Sequence, residues 1–162
     1  MPLLEFDQLP DDARLWVFAA SDPVVGPDAA HLLGTVDEYL DQWAAHGRPL
    51  ICARDWRDDR FLAVAVDEAS AGASGCSIDA LFRILQKLQG SLGTSLVGGS
   101  RLFYRAGDGV VHMVERGDFG RRRAAGELGD DTPVFDTSAT TVGAYRDGFE
   151  RPLASSWHAT LR

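Results

Sequence analysis

The chain of 162 residues carries a formal net charge of −8, and 45% of its residues are hydrophobic, so it suits one domain, 1–162, with a proper core. The negative charge disfavours nucleic acid and anionic membrane surfaces as partners, and no segment approaches the ~20 apolar residues of a membrane span. Two cysteines make no disulfide framework and the acidic N-terminus has no signal-peptide pattern, so we expect a soluble cytoplasmic protein with reduced thiols.

The first half of the chain predicts a strand, a helix and two further strands. Residues 15–19 are rich in aromatic and β-branched side chains, which is typical of a short strand. From Pro27 to Ala44, apolar residues recur at three- and four-residue spacing, which predicts an amphipathic helix. Residues 50–56 and 61–66 flank a polar turn and should pair as a hairpin. Because 61–66 does not alternate, it predicts a strand covered on both faces, at the centre of its sheet.

The second half predicts a second long helix and a further hairpin. Apolar residues form one helical stripe, and Gly93 follows its end; the stripe contains Ile78, Leu81, Phe82, Leu85, Leu88 and Leu92. Strands 101–105 and 110–114 flank a turn containing Asp108-Gly109, a strong hairpin signal. Beyond them we expect a short polar helix within 117–128, a short strand at 134–136, helical turns within 138–145 and a C-terminal tail.

This order of elements predicts the fold class. Strand, helix, strand, strand, helix and strand indicate a single α+β domain with a mixed or antiparallel sheet and two main helices. The same βαββαβ order is what a ferredoxin-like core requires, here with an added hairpin and the C-terminal tail.

The glycine-rich turn before the second helix is the candidate functional site. Small residues leave its backbone uncovered, and Ser74 or Ser77 can cap the helix. Free N–H groups at a helix start favour an anion, so Gly75, Cys76, Ser77 and Asp79 are predicted to bind a small ligand or anion. Any capped glycine turn has this pattern, so the prediction is a hypothesis.

Cys76 offers an alternative function, because a thiolate is favoured at a helix N-terminus. An enzyme using Cys76 as its nucleophile would need a base, which His46, His112 or His158 could supply only through the fold. Against this, free cysteine is among the most buried residue types, and both burial and the charge of Asp79 oppose a thiolate. We therefore expect a structural, slowly reacting Cys76.

Other motifs narrow the range of functions. There is no Walker A string, and Lys87, the only lysine, lies within the second helix, which argues against P-loop nucleotide hydrolysis. The four histidines are scattered without metal-ligand spacing, so we expect neither a metal site nor a cofactor. Arg121-Arg122-Arg123, with Arg116, form a basic patch that is typical of a solvated face.

The tail carries the two remaining candidate ligand-binding residues, Trp157 and His158. A C-terminal tryptophan usually docks the tail onto the domain. It could instead close one side of a pocket or meet a second subunit. The partner is therefore an unknown small molecule or a protein, and a protein-interaction or dimerisation module, including a homodimer, is the remaining alternative.

Several strings together resemble a family of small bacterial proteins often automatically labelled "ABC transporter ATPase". The strings are 13–18, 43–47, 59–67, Ala73-Ser74-Gly75-Cys76-Ser77-Ile78-Asp79 and Ser156-Trp157-His158. The resemblance runs over essentially the whole chain. It implies no particular reaction, and the label conflicts with the missing Walker A lysine.

Overall fold

The first sheet has three antiparallel strands. A computed structural model describes residues 5–45, 51–67, 75–98 and 100–161, with the backbone alone described for 44, 45 and 75–77. The sheet order is β1 (Arg14–Ala19), β3 (Phe61–Asp67) and β2 (Ile51–Arg57). β3 pairs on both edges, and its residues 61–66 are all buried. The predicted central strand is thus confirmed.

The β2–β3 hairpin closes through a tight loop of three residues, 58–60. Asp58 and Asp59 adopt φ angles of 55° and 58°, the left-handed region that a type I′ turn needs at both central positions. Aspartate tolerates this region better than most residues because its short polar side chain can hydrogen-bond locally. The Arg60 N–H donates to the Arg57 carbonyl at 3.1 Å and closes the turn.

Two long helices cover one face of this sheet. α1 (Gly26–Ala45) and α2 (Gly75–Leu92) match the two predicted helices, and Gly93 (φ 69°) follows the end of α2 as expected. Apolar side chains from both helices pack against the sheet in one cluster, which includes Leu32, Val36, Leu40, Leu81, Leu85, Leu62, Val64 and Val66. Within the described ranges, neither these nor any other helix is long and apolar enough to cross a membrane.

The other face of the first sheet packs on a second antiparallel sheet. Its order is β5 (Val111–Glu115), β4 (Arg101–Arg105), β6 (Pro133–Phe135) and β7 (Glu150–Pro152). Phe61 is the centre of the contact, with its ring 4.7–5.1 Å from those of Phe103, Phe135 and Phe149. The alternate residues of β3 therefore serve two cores, one on each face.

The position of β4 differs from a ferredoxin-like arrangement. The order β1-β3-β2 is the one such a core has, but the fourth strand does not join it beside β1. β4 instead pairs with β5 through the tight turn at Gly109 (φ 83°), and with β6. The short hairpin with β5 closes at little entropic cost and occupies one edge of β4. Since β6 occupies the other edge, β4 does not pair with the outer edge of β1.

The tail docks on the far face of the second sheet. α3 (Arg116–Ala124) and α4 (Val142–Gly148) follow β5 and β6, and the chain ends in two short 3₁₀ turns, Leu153–Ser155 and Trp157–Thr160. Leu153 is fully buried, and Trp157 packs partly buried against the cluster around it. The expected docking of the tail through Trp157 is confirmed.

Candidate functional site

A cleft opens beside the outer edge of β1. Its volume is about 920 Å³. Residues 15–19 of β1 form one wall, α2 and the segment 96–98 form another, and Leu102 and Phe103 of β4 lie opposite α2. Thr137, Ser138 and Thr140 close the side facing β1. The cleft thus lies between the helix layer and the second sheet, where a fourth strand of the first sheet would run.

The α2 wall is apolar. Leu81 and Leu85 point into the core and are fully buried, whereas Phe82 on the same stripe is 40% exposed and lines the cleft with Ile78. The Phe82 ring packs edge-on against Phe18 of β1, with 6.1 Å between the ring centres. A phenyl ring exposed in a concave wall is a typical contact for an apolar ligand.

Two arginines bring positive charge to this cleft. Arg101 is half-buried at the start of β4, and its Nη1 donates to the Ser95 carbonyl at 3.2 Å. Burial lowers the pKa of its guanidinium, and the nearby Glu115 carboxylate opposes that effect. Arg116, at the start of α3, lies over the Trp157 ring at 5.4 Å. Within the described ranges, neither guanidinium has a carboxylate oxygen within 4.0 Å.

Asp136 fixes the rim of the cleft. Its Oδ1 accepts from the Trp157 Nε1 at 3.0 Å and from the Ser138 backbone N–H at 3.1 Å. The Ser138 hydroxyl also donates to this oxygen. One carboxylate oxygen therefore holds the indole ring and the hydroxyl-bearing segment in place, so the cleft wall is preorganised.

Of the residues that the sequence predicted as a site, the structure describes the side chains of Asp79, Trp157 and His158. Trp157 and the first turns of α2 do line one cleft, but Asp79 is exposed and lies outside the cleft lining. The side chains of Gly75, Cys76 and Ser77 lie outside the described residues, as does His46. The predicted site at residues 75–79, and the reactivity of Cys76, therefore stay predictions.

His158 does not face the cleft. It lies behind Trp157, with the two rings stacked at 4.0 Å, and is completely buried. Its Nδ1 forms a hydrogen bond with the Ser156 hydroxyl at 2.6 Å, while its Nε2 has no partner among the described residues. Burial lowers the pKa of His158 to about 4; Asp136 opposes this shift and Arg116 adds to it.

We expect acid to destabilise the fold through His158. The imidazole of the unfolded chain has a pKa of about 6.5. As the pH falls from about 6.5 to 4, the unfolded state therefore binds a proton that the native state does not bind. Stability is therefore full above pH 6.5 and declines below it, by about 3 kcal/mol when the native pKa is reached. Urea unfolding between pH 7 and 4 measures this slope.

His158→Asn is the matched control for that measurement, since an asparagine amide can still bond Ser156 but does not titrate. The carboxylates that the parent and the variant share then contribute equally to the pH dependence of stability in both proteins. Parallel stability profiles for the parent and His158→Asn would contradict the assignment of acid sensitivity to His158.

Cys52 is the other cysteine, and its role is structural. The thiol is buried and lies 3.6 Å from the Leu40 carbonyl, to which it donates. Burial, aided by the charge of Asp41, raises the pKa of Cys52 to about 11. At neutral pH it is a thiol, which is a poor nucleophile.

Arg101 gave no signal in the sequence that it would line a cleft, beyond standing at the start of a strand. Arg116 is exposed, as expected for a solvated face, but its stacking on Trp157, 41 positions further along the chain, was not predicted. Phe82 was placed on the apolar stripe of α2, and only the packing of α2 shows that it faces the cleft.

Comparison with known proteins gives no independent guide to this cleft. No protein family, no curated protein and no solved structure matches the chain. The resemblance described from the sequence stays an expectation. In the described ranges, no group of three or more histidine, cysteine or acidic side chains is arranged to hold a metal ion.

Proposed function

We propose that the protein binds an anionic small ligand with an apolar portion in the cleft beside β1. The observation that carries this proposal is the pair of guanidiniums, Arg101 and Arg116, that line an apolar cleft without carboxylate partners. In a chain of net charge −8, most arginines have acidic neighbours available. Two arginines that face a cleft and form no ion pair within the described chain supply a site for a carboxylate, sulfonate or phosphate.

The size and lining of the cleft support the same function. Ligand sites typically occupy ~300–1,000 Å³ and combine apolar walls with a few placed polar groups. The apolar wall includes Phe82 and Ile78, and the polar groups are the two arginines with the hydroxyls of Ser138 and Thr140. An apolar body would gain from leaving water, while the arginines fix its charged end.

This proposal retains small-ligand and anion binding but centres it on the cleft rather than on residues 75–79. α2 begins at Gly75 and Ile78 of its first turn lines the cleft, so the positive end of the helix dipole favours the same anion. The nucleophilic role of Cys76 and a dimerisation function remain separate hypotheses.

Anilinonaphthalene sulfonate is a suitable probe because it joins an aromatic body to a fixed negative charge. We expect it to bind the folded protein with enhanced fluorescence. Replacing Arg101 and Arg116 together by glutamine should raise its Kd by about tenfold or more, since a hydrogen bond to a charged group contributes ~1.5–3 kcal/mol. Fluorescence titration measures both values.

Two controls make that titration specific. Replacing Arg121 and Arg122 together by glutamine removes the same two charges from exposed side chains of α3 that do not line the cleft, and it should leave the Kd unchanged. N-phenylnaphthylamine, which lacks the sulfonate, should bind the parent and the Arg101, Arg116 double variant alike. An equal loss of anionic-probe binding in the Arg121, Arg122 control would mean that only net charge matters, and the proposed site would be wrong.

A further inference from the structure

The outer edge of β1 presents backbone groups to the cleft. Leu15 donates its N–H to Thr140 at 2.9 Å and Ala13 accepts from Val142 at 3.0 Å, so odd-numbered residues of this strand face away from β3. By the alternation of a strand, the N–H and C=O of Val17 and the N–H of Ala19 face the same way. Within the described chain, this edge is paired up to Leu15 and again just beyond β1, where the Ser21 N–H donates to the Ser95 carbonyl at 2.9 Å, so the open stretch is that of Val17 and Ala19.

The cleft has the dimensions of a missing strand. Five residues of β1 line it, which corresponds to roughly 16 Å of extended chain. A strand added beside β1 would place alternate side chains against Phe82 and Ile78 on the helix side, and against Phe103 on the side of the second sheet. This is the place that β4 leaves vacant by pairing in the second sheet.

A second copy of this chain is a poor occupant. Pairing two β1 edges about a twofold axis requires both edges to protrude, but each lies inside an identical cleft between α2 and the second sheet. Two chains of net charge −8 also repel each other. An isolated extended segment meets neither obstacle.

We propose that the ligand of the cleft is an extended peptide segment that pairs with β1 as an added strand and places a carboxylate on Arg101 or Arg116. The inference rests on the proposed function, since it names the ligand class of the same cleft. Main-chain hydrogen bonds to Val17 and Ala19 provide affinity, and the walls on both faces select apolar side chains at alternate positions. The two guanidiniums, which lack carboxylate partners in the described chain, match the negative group by charge.

The carboxylate could be a peptide C-terminus or an acidic side chain, and the probe separates the two. Immobilised protein is incubated with two pools of random hexapeptides, one with free and one with amidated C-termini, and bound peptides are identified by mass spectrometry. Enrichment from the free pool alone indicates a C-terminal carboxylate. Enrichment from both pools, with Asp or Glu selected, indicates a side chain.

Backbone methylation of an enriched peptide tests strand pairing directly. Methylating alternate amides should follow a period of two: methylation at an N–H that faces β1 should weaken binding at least about tenfold, and methylation at its neighbours should not. Amide hydrogen exchange on the unaltered protein should slow at Val17 and Ala19 when the peptide binds. The Val17→Pro variant, which lacks an N–H on the outer edge, should no longer bind the peptide.

The outcomes distinguish this inference from the function it rests on. If anilinonaphthalene sulfonate binds in an Arg101- and Arg116-dependent manner but no peptide is enriched, or methylation shows no period of two, the peptide inference is overturned and the proposed function stands. If binding of the anionic probe is also independent of both arginines, the peptide inference and the proposed function are both wrong. A dimer seen by ultracentrifugation and dissolved by Val17→Pro would make a second copy the occupant and overturn the inference.

Discussion

Val64→Asp should unfold the protein or cost at least about 4 kcal/mol of stability. Val64 lies in the middle of β3, pairs across both edges of that strand and is completely buried in the cluster shared with α1 and α2. A carboxylate there would lose its hydration without gaining a partner. The free energy of unfolding of such a domain is only ~5–15 kcal/mol, so one substitution removes much of it.

The chain supplies a matched control for this substitution. Val110→Asp makes the same change beside the β4–β5 turn, where the valine side chain is 50% exposed. We expect the free energy of unfolding of that variant to lie within about 0.5 kcal/mol of the parent's. Urea unfolding with unchanged m-values would make the two directly comparable. An equally stable Val64→Asp protein would refute the burial of β3 on both faces.

Arg60→Met should have the second largest effect, about 3 kcal/mol. The Arg60 guanidinium is buried and donates to the carbonyls of Ala20, Ser21 and Val111 at 2.7–3.3 Å. It thereby connects the end of β1, the β2–β3 turn and β5. Methionine fills similar space but leaves three carbonyl oxygens without a donor, and an unsatisfied buried acceptor costs ~1–3 kcal/mol.

Arg60→Lys tests whether shape or charge matters at this position. A lysine retains the positive charge but cannot present the planar fork of donors that reaches three carbonyls. We therefore expect it to recover less than half of the lost stability. Arg54→Met is the control, because Arg54 forms an ion pair with Asp37 that is partly exposed and should contribute no more than about 1 kcal/mol. A fully stable Arg60→Lys would contradict the role of geometry.

The sequence predicted the individual elements well because their signals are local. The stripe of α2 has the period of a helix, and the short, unbroken apolar run of β3, bounded by polar turn residues, is typical of a strand buried on both faces. Asp108-Gly109 and the 57–60 turn fix the two hairpins through their own backbone preferences. These features, with the α+β class, follow from residues close together in the chain, whereas the sequence allowed either a mixed or an antiparallel sheet.

Only the tertiary structure decided which sheet β4 joins, and the candidate site depends on that choice. The Asp108-Gly109 turn assigns β5 to one edge of β4, but neither local propensity nor periodicity says whether β1 or β6 takes the other edge. Once β6 pairs there and Phe103 packs on Phe61, the edge of β1 remains open and Arg101, Arg116 and Trp157 meet beside it. Residues 15, 101, 116 and 157 are too far apart in the chain for any local signal to have brought them together.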